Sequence, residues 1–380
     1  MMHILIAPNA FKNSLTAMEV ADAIQKGLHS SKLNCTTSCF PIADGGDGTA
    51  SLIIKKCAGQ RIELHANDAF GRKIPSSFGL IDQGMTAVIE MADASGLRLL
   101  KSSELNPMAA SSFGTGELIR AALDKGVNKI IIAMGGSATV DGGCGILSAL
   151  GFTFLDAANQ PLKATPQNLI NIQKVDASKV DPRVANCAFI ILCDVDNGLL
   201  GPDGAAAVFG PQKGADAATV KLLESFLSKL ARIADQQFNK PLENLKYGGT
   251  AGGAAAGLHA FLNAKLVNGI EYFLALTNFD QELKHADLLI TGEGSIDLQT
   301  LQGKGPFGVA KIAFESNIPV IGLAGKVPLE PEAELLKYFT VLTAIGNEPG
   351  TLAEAMQNTG KNLERTAHYM GNMLHFSKQV

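Results

Sequence analysis

The sequence contains no tryptophan and only four tyrosines among its 380 residues. It has no run of lysine or arginine, and its formal net charge is −4. We therefore expect no nucleic-acid partner, because phosphates need a basic face and bases need stacking aromatic rings. Charged residues make up 18% of the chain and apolar residues 46%, which excludes a disordered chain and is typical of a well-buried globular enzyme.

Long apolar runs and paired cysteine motifs are also missing. No segment approaches the ~20 apolar residues that span a bilayer, and the start, MMHILIAPNAF, lacks the basic region of a signal peptide. No CxxC pair occurs and no histidine lies at metal-ligand spacing from a cysteine, so the simplest interpretation is a reduced, cytoplasmic protein with no membrane contact. The cysteines are Cys35, Cys39, Cys57, Cys144, Cys187 and Cys193.

Glycine is abundant by contrast, and many of the 40 glycines follow short apolar runs. The runs at 3–7, 129–134 and 188–192 each lead into a loop rich in glycine, aspartate or asparagine. Repeated alternation of strand, loop and helix predicts an α/β chain with mostly parallel strands. Ligands bind at the carboxyl ends of such strands, so we expect these loops to gather near one site.

The length of the chain predicts two domains, because a single core rarely grows beyond ~250–300 residues. Residues 1–60 and 285–380 show regular strand–helix alternation, whereas residues 61–284 include short strands in quick succession. We therefore predict two α/β domains. Residues 1–60 and 285–380 form a discontinuous Rossmann-like or flavodoxin-like domain with a mostly parallel sheet. Residues 61–284 form a mixed-sheet α/β domain inserted into it, with the active-site cleft between them.

The stretch TGEGSIDLQTLQGKGPFGVA, residues 291–310, has a composition unusual for a simple turn. A Walker A loop is excluded, because Gly303-Lys304 is followed by glycine instead of serine or threonine. A dinucleotide fingerprint is excluded as well, because Gly292-Glu293-Gly294 is followed three residues later by Asp297. The stretch is therefore a glycine-rich strand-to-helix loop of another kind.

Charged residues recur in loops after the predicted strands. Carboxylates suit Mg²⁺, lysines suit phosphate oxygens, and helix N-termini opened by glycine favour anions. This combination indicates phosphoryl transfer, which depends on positioning and charge stabilisation, although each aspartate could also simply form a turn or cap a helix. The charged residues concerned are Asp44, Asp47, Asp141, Asp194, Asp196, Glu293, Asp297, Lys12, Lys213, Lys304 and Lys326.

Eight segments between residue 4 and about 346 resemble, in order and spacing, the signature blocks of the bacterial type-1 glycerate kinases. They are APNAFKNSLTAMEVADAI, PIADGGDGT, SSFGTGELI, MGGSATVDGGCG, CDVDNGLLG, FGPQKGA, GGTAGGAAAGL and TGEGSIDLQTLQGKGPFGVA. The resemblance implies Mg²⁺-assisted transfer of the γ-phosphoryl group of ATP to D-glycerate, with 2-phosphoglycerate favoured over 3-phosphoglycerate as product. It also implies two α/β domains, one inserted into the other. One departure is Val140, where the family usually has asparagine.

The predicted site residues fall into four groups. Asp194, Lys213 and Lys304 are predicted to be catalytic, with Asp194 accepting the proton of the glycerate hydroxyl. Gly292, Gly294, Ser295, Gly303 and Lys304 are predicted to bind ATP, and Glu293 and Asp297 to bind Mg²⁺. Lys12, Ser14, Asp44 and Ser137 are predicted to bind the substrate, and Asp44 is also the reserve candidate for proton acceptor or metal ligand. The expected partners are small molecules, D-glycerate and ATP, and the sequence is compatible with a homo-oligomer.

Two other functions stay open at this point. Asp194-Val195-Asp196 offers the DxD pattern of phosphatases with an aspartyl nucleophile, although those enzymes place it after the first strand. A non-catalytic sugar-acid-binding module is the other alternative. ATP turnover separates the three, because a binding module shows none and a phosphatase needs no nucleotide.

Overall fold

The computed structural model describes residues 1–377. The strands are β1 (Met2–Ile6), β2 (Cys35–Cys39), β3 (Gln60–Asn67), β4 (Lys73–Ile81), β5 (Thr86–Glu90), β6 (Lys129–Ala133), β7 (Thr153–Leu155), β8 (Pro161–Leu162), β9 (Lys174–Asp176), β10 (Ala188–Cys193), β11 (Lys265–Asn268), β12 (Leu288–Ser295), β13 (Val320–Lys326) and β14 (Val341–Ala344). The α-helices are α1 (Ala17–His29), α2 (Thr49–Lys56), α3 (Ala92–Ser95), α4 (Phe113–Asp124), α5 (Cys144–Ala149), α6 (Pro166–Leu169), α7 (Ala205–Phe209), α8 (Ala217–Phe238), α9 (Ala254–Leu262), α10 (Gly269–Leu276), α11 (Phe279–Leu283), α12 (Gly305–Glu315), α13 (Ala333–Tyr338), α14 (Leu352–Gln357) and α15 (Thr359–Phe376). Short 3-10 helices cover Asp82–Gly84, Leu97–Leu99, Ser102–Glu104, Pro182–Asn186, Pro211–Lys213 and Leu298–Gln302.

The chain divides into two compact units. The discontinuous unit combines Met1–Asp44 with the chain from Ile270 onward, and the inserted unit is Gly45–Gly269. These boundaries differ from the predicted ones at 60 and 285. Residues 45–60 belong to the inserted unit because α2 packs on β4 and β5. Residues 270–284 belong to the discontinuous unit because Phe273 and Phe279 pack edge-on against Phe40.

The discontinuous unit has a five-stranded parallel sheet in the order β14-β13-β12-β1-β2. Counted along the chain of this unit, the order is 2-1-3-4-5, that of a flavodoxin-like doubly wound sheet. The central strands β1, β12 and β13 carry apolar runs because the middle of a parallel sheet is buried on both faces, and residues such as Ile4, Leu5 and Leu289 are fully buried. The predicted mostly parallel, flavodoxin-like sheet is confirmed.

Helix α1 shows how local sequence starts an element that covers this sheet. Thr16 and Glu19 form a capping box, in which the Thr16 hydroxyl accepts from the Glu19 N–H and the Glu19 carboxylate accepts from the Thr16 N–H. Val20, Ala21 and Ile24 place an apolar stripe toward the core. The buried face of α1 lies against α15 in the same unit.

Strand β12 extends further than the sequence predicted. The glycine-rich loop was expected to begin after Ile290, but residues 291–295 continue the strand. They pair in parallel with β13 as far as Ser295 and Lys326. Gly292 permits this pairing, since a Cβ there would lie 2.2 Å from the Leu323 carbonyl oxygen. Glu293 is therefore held by the sheet.

The inserted unit has a six-stranded mixed sheet in the order β11-β10-β6-β5-β4-β3. Strands β5, β6, β10 and β11 are parallel to one another, and β4 is antiparallel to both β3 and β5. A separate three-stranded sheet has the order β8-β7-β9. A large apolar core includes Ile130, Ile132, Phe154 and Phe226. The predicted mixed-sheet α/β fold is confirmed here. Among residues 1–377, no helix has the length and apolar character needed to cross a membrane.

Candidate active site

Asn9 lies just beyond β1, where the strand order of the discontinuous unit reverses. Its backbone N–H donates to the Gly292 carbonyl oxygen at 2.8 Å, and its Nδ2 donates to a carboxylate oxygen of Asp44 at 2.8 Å. Asn9 therefore joins the segments that follow β1 and β2 to strand β12, at the kind of reversal where doubly wound sheets bind ligands. Asn9 was not among the predicted site residues. Its position just after an apolar run, in the motif PNAF, is the signal that could have revealed it.

Glu293 is the most strongly perturbed acid near this reversal. Glu293 is 8% exposed, and the Thr300 hydroxyl donates to its Oε1 at 3.1 Å. Burial raises the pKa of Glu293 to about 7; the nearby Lys304 ammonium lowers this pKa, while Asp44 and Asp297 raise it further. A cation bound beside Glu293 would lower this pKa, because a positive charge favours the charged form of a carboxylate.

Asp297 begins the 3-10 helix Leu298–Gln302. Its Oδ1 accepts from the Gln299 N–H at 2.9 Å, its Oδ2 accepts from the Ser295 hydroxyl at 3.2 Å, and its own N–H donates to the Thr300 hydroxyl at 3.1 Å. Thr300 thus contacts both predicted metal ligands. Asp297 has a capping role in addition to any role as a ligand.

Glu293 and Asp297 fit Mg²⁺ by their chemistry, since both offer carboxylate oxygens. Mg²⁺ is commonly held by one or two carboxylates together with substrate phosphates and waters. Among residues 1–377 there is no group of three or more histidine, cysteine, aspartate or glutamate residues that could hold a metal.

Lys304 is the N-cap residue of α12, and its side chain makes no capping hydrogen bond. The next N–H, that of Gly305, makes a long 3.4 Å contact to Asp44 Oδ2. A Cβ at Gly305 would lie 2.8 Å from Asn9 Nδ2, so only glycine lets the helix start this close to Asn9. A lysine at the positive end of an eleven-residue helix is an arrangement that favours phosphate.

The other predicted ATP-binding residues have different surroundings. Gly292 is a strand residue that packs against β13, and Ser295 donates to Asp297. Gly294 faces open space, because no atom lies within 4 Å of where its Cβ would be. Gly303 connects the 3-10 helix to Lys304. Of these glycines, Gly294 thus has the open surroundings that leave room for an anion.

Lys12 and Ser14, both predicted to bind substrate, lie beyond Asn9. Lys12 is exposed. The Ser14 hydroxyl lies within hydrogen-bond distance of the Met356 carbonyl oxygen, at 2.7 Å, and of the Thr359 hydroxyl, at 2.8 Å. These bonds tie the loop to the α14–α15 connection, which gives Ser14 a structural role.

In the inserted unit, Glu90 lies at the N-terminus of α2. Its two carboxylate oxygens accept from the N–H groups of Gly48 at 2.8 Å and Ala50 at 3.2 Å. Burial raises the pKa of Glu90 to about 7, aided by Asp93 and opposed by these hydrogen bonds. The helix that follows the loop DGGDGT is therefore capped by a carboxylate of the chain itself.

Asp141 caps helix α5, as Glu90 caps α2. It is fully buried, and it accepts from the N–H and hydroxyl of Ser112, both at 2.7 Å, and from the N–H groups of Gly143 and Gly145, both at 3.1 Å. Burial raises the pKa of Asp141 and the hydrogen bonds oppose that effect. The motif DGGxG occurs at residues 44–48 and 141–145. Its two copies have different uses, because Asp44 contacts Asn9 whereas Asp141 caps a helix.

Lys213 is 2% exposed. Its Nζ donates to the Ser137 hydroxyl at 2.9 Å and to the Thr139 carbonyl oxygen at 2.7 Å. Burial lowers the pKa of Lys213 to about 7, while the charges of Asp141 and Asp194 favour the protonated form. The structure thus brings together three predicted residues, Ser137, Lys213 and Asp194, the last of which directly follows β10.

Val140 directly follows Thr139, but its side chain belongs to the core of the inserted unit. Its side chain is fully buried in the apolar core of the inserted unit. At this departure from the usual asparagine, the Val140 side chain is therefore part of the core packing.

Comparison with known proteins connects these observations. The sequence model of the Glycerate kinase family matches residues 4–375. The chain is 41% identical to a glycerate kinase of Halalkalibacterium halodurans over 377 residues, covering 99% of both chains. It is 40% identical to the glycerate 2-kinase of Escherichia coli over 370 residues, covering 96% of both chains. A crystal structure described as a glycerate kinase 2 from Salmonella typhimurium LT2 superposes with a TM-score of 0.83 at 38% identity, covering 100% of both chains.

Proposed function

Because the chain belongs to the glycerate kinase family, we propose that it transfers the γ-phosphoryl group of ATP to the 2-hydroxyl of D-glycerate with the help of Mg²⁺. Phosphorylation of glycerate with ATP follows from family membership. The choice of the 2-hydroxyl is supported by the name of the Escherichia coli relative, a glycerate 2-kinase. The metal and the roles of single residues are supported by the geometry of the site.

The observation that carries the proposal is the convergence of charge at the strand-order reversal of the discontinuous unit. Glu293 and Asp297 would hold Mg²⁺, with Asp44 in reserve, and the bound ion would neutralise charge on the phosphates. Lys304 and the N-terminus of α12 would hold phosphate oxygens. Such a site can stabilise the charge of the transferring group, which is the main requirement of phosphoryl transfer.

The inserted unit would supply the groups that act on glycerate. Asp194 would accept the hydroxyl proton, and Lys213 would hold the carboxylate or phosphoryl charge beside Ser137. An anionic ligand next to Lys213 would raise its pKa from about 7 and keep the amine charged in the complex. We assign no substrate contact to Ser14, and the active-site cleft between the two domains stays a prediction.

The two other functions have less support. An aspartyl phosphatase would place its DxD pattern after the first strand, but Asp194-Val195-Asp196 follows β10, well inside the inserted unit. A binding module would not need an acid, a lysine and a helix N-terminus at one strand reversal.

The test is a coupled assay of ADP release with D-glycerate, ATP and Mg²⁺, followed by ³¹P NMR of the product. We expect glycerate-dependent ADP release and a phosphorus signal coupled to the proton on carbon 2. A folded protein that releases no more ADP than the ATP-only blank would contradict the function. Coupling to the carbon-3 protons would instead overturn only the assignment of the hydroxyl.

A further inference from the structure

Strand β3 lies at one edge of the six-stranded sheet of the inserted unit. Its eight residues pair with β4 in an unbroken antiparallel register, from Gln60 opposite Leu80 to Asn67 opposite Lys73. The other strands at sheet edges in the described part of the chain have five residues or fewer. A long, regular edge strand leaves a row of backbone N–H and C=O groups to which another strand can pair.

The turn that joins β3 to β4 shows which backbone groups face outward. The Asp68 N–H donates to the Arg72 carbonyl oxygen at 2.8 Å, so the backbone of Asp68 faces β4. Antiparallel strands alternate between residues that bond the neighbouring strand and residues that face away from it. Asn67 therefore faces outward, and its N–H donates to the Glu117 carboxylate at 2.7 Å. By the same alternation, every second residue before Asn67 also faces outward.

Three of these outward residues have exposed side chains and outward backbone groups without a partner among residues 1–377: Arg61, Glu63 and His65. The Arg61 Nε donates to the Ser77 hydroxyl at 2.9 Å, but within that part of the chain neither Arg61 nor Glu63 forms an ion pair. On the other face of β3, Ile62 and Leu64 are half-buried and pack against the core of the inserted unit. The edge thus carries opposite charges two residues apart, with apolar side chains on the reverse face.

We propose that β3 pairs antiparallel with β3 of a second copy of this chain, about a two-fold axis that passes through Ile62. In this register, Arg61 of each copy lies opposite Glu63 of the other, and these outward residues exchange backbone N–H···O bonds. The symmetry forms the charge pair twice. The two Ile62 side chains face each other at the intervening non-bonded position, where opposite side chains are closest. The two mixed sheets thereby become one continuous sheet.

The charges of the edge disfavour the neighbouring registers. A shift of two residues places Glu63 opposite Glu63 in one direction and Arg61 opposite Arg61 in the other, and like charges directly opposite each other are destabilising. A shift of four residues sets Glu63 opposite His65. It also sets Arg61 opposite Asn67, whose N–H already donates to Glu117. Odd shifts place outward groups against inward ones, so the backbone bonds cannot form. The same charges that guard an edge against other strands therefore suit a second copy in this register.

Charge reversal tests the partner and the register together, with sedimentation equilibrium of the full chain measuring the dimerisation constant. Arg61→Glu or Glu63→Arg leaves only like charges at the centre of the strand pair, so we expect each to weaken dimerisation by about tenfold or more. The double variant Arg61→Glu/Glu63→Arg restores opposite charges and should dimerise within about threefold of wild type. Glu243→Arg, at an exposed position outside β3, is the matched control and should dimerise as wild type does.

Cysteine cross-linking tests the register alone. Ile62→Cys places two thiols at a non-bonded antiparallel position, where the Cα atoms lie about 4.5 Å apart and within the range of a disulfide. Mild oxidation should therefore join the two copies covalently. Leu64→Cys lies on the same face but opposite Gln60 of the second copy, so it should stay uncross-linked, as should wild type with its native cysteines.

A wild type that remains monomeric up to about 1 mM would overturn the proposal. So would a dimer that both charge reversals leave intact, or one that cross-links through Leu64→Cys in preference to Ile62→Cys. Circular dichroism spectra that match wild type ensure that a loss of dimerisation reflects the edge and not unfolding. The result is independent of the proposed function, because these measurements contain neither nucleotide nor glycerate.

Discussion

The two units use glycine-rich turns before helices in opposite ways. In the inserted unit, carboxylates of the chain occupy the N-termini of two such helices, Glu90 at α2 and Asp141 at α5. In the discontinuous unit, α12 begins with Lys304 as its N-cap residue, and the Gly305 N–H makes only a long contact to Asp44. A glycine-rich turn opens a helix N-terminus, but an acid from elsewhere in the chain decides whether that N-terminus is left for a ligand.

The most severe test of this difference between the two units removes the internal acid at α5. Asp141→Ala leaves the Ser112, Gly143 and Gly145 N–H groups buried without their acceptor. Since each unsatisfied buried donor costs about 1–3 kcal/mol, we expect the free energy of unfolding to fall by at least about 3 kcal/mol. Urea denaturation followed by circular dichroism measures this loss.

The matched control is Asp216→Ala, because Asp216 caps α8 through the Thr219 N–H but is exposed. Its loss should be clearly smaller, since water can replace the carboxylate. Equal losses in the two variants would mean that Asp141 is an ordinary helix cap, and the contrast between the units would fail.

The second test concerns the helix whose N-terminus is proposed to bind phosphate. Lys304→Met keeps a similar side-chain length and removes the charge. We expect kcat for ATP-dependent phosphorylation of glycerate to fall by about 10²-fold, the usual effect of losing one preorganised donor to a transition state. Lys311→Met, on the exposed face of the same helix, should keep wild-type kinetics. Indistinguishable kcat values for the two variants would remove Lys304 from the mechanism.

The third test measures how the free energy of unfolding changes with pH. The pKa of Glu90 is raised from 4.5 to about 7 in the folded protein, mainly by burial. The folded state therefore holds this proton more tightly than the unfolded state, so the stabilisation is present below pH 4.5 and is lost as the pH rises to about 7. Glu90 should contribute roughly 2–3 kcal/mol to the loss in wild type, and Glu90→Gln should remove that contribution. The contribution of Glu293, whose pKa is also raised to about 7, should remain in both proteins.

Denaturation curves at several pH values check this difference, with exposed Glu243→Gln as the control that keeps the wild-type slope. If Glu90→Gln loses stability with pH as steeply as wild type does, Glu90 is not the titrating group. The description of α2 as a helix capped by a buried acid would then need revision.

Much of the fold was predictable because its signals are local. The apolar runs at 129–134 and 188–192 correspond closely to β6 and β10, since buried parallel strands need apolar residues on both faces. The end of β12 was not predictable in the same way. Residues 291–295 have the composition of a loop, and pairing with β13, distant in sequence, holds them extended.

The sequence predicted which types of residue form the candidate site better than it predicted the role of each residue. Glu293, Lys304 and Asp44 were singled out, and the structure places them within one electrostatic neighbourhood. Asn9 was missed because asparagine after a strand is also a common turn residue. Ser14 was selected for its motif, but its hydroxyl is engaged by the α14–α15 connection, far along the chain.

Local sequence specifies the alternation of strands and helices, the capping box of α1 and the supply of acids, lysines and glycines in the loops. These features depend on residues a few positions apart, within reach of local hydrogen bonds and periodicity. Which of those charges are buried depends on the tertiary fold. Lys213 and Glu293 have pKa values near 7 because chain segments distant in sequence exclude water from them. Desolvation depends on everything packed around a group, so no short stretch of sequence specifies it.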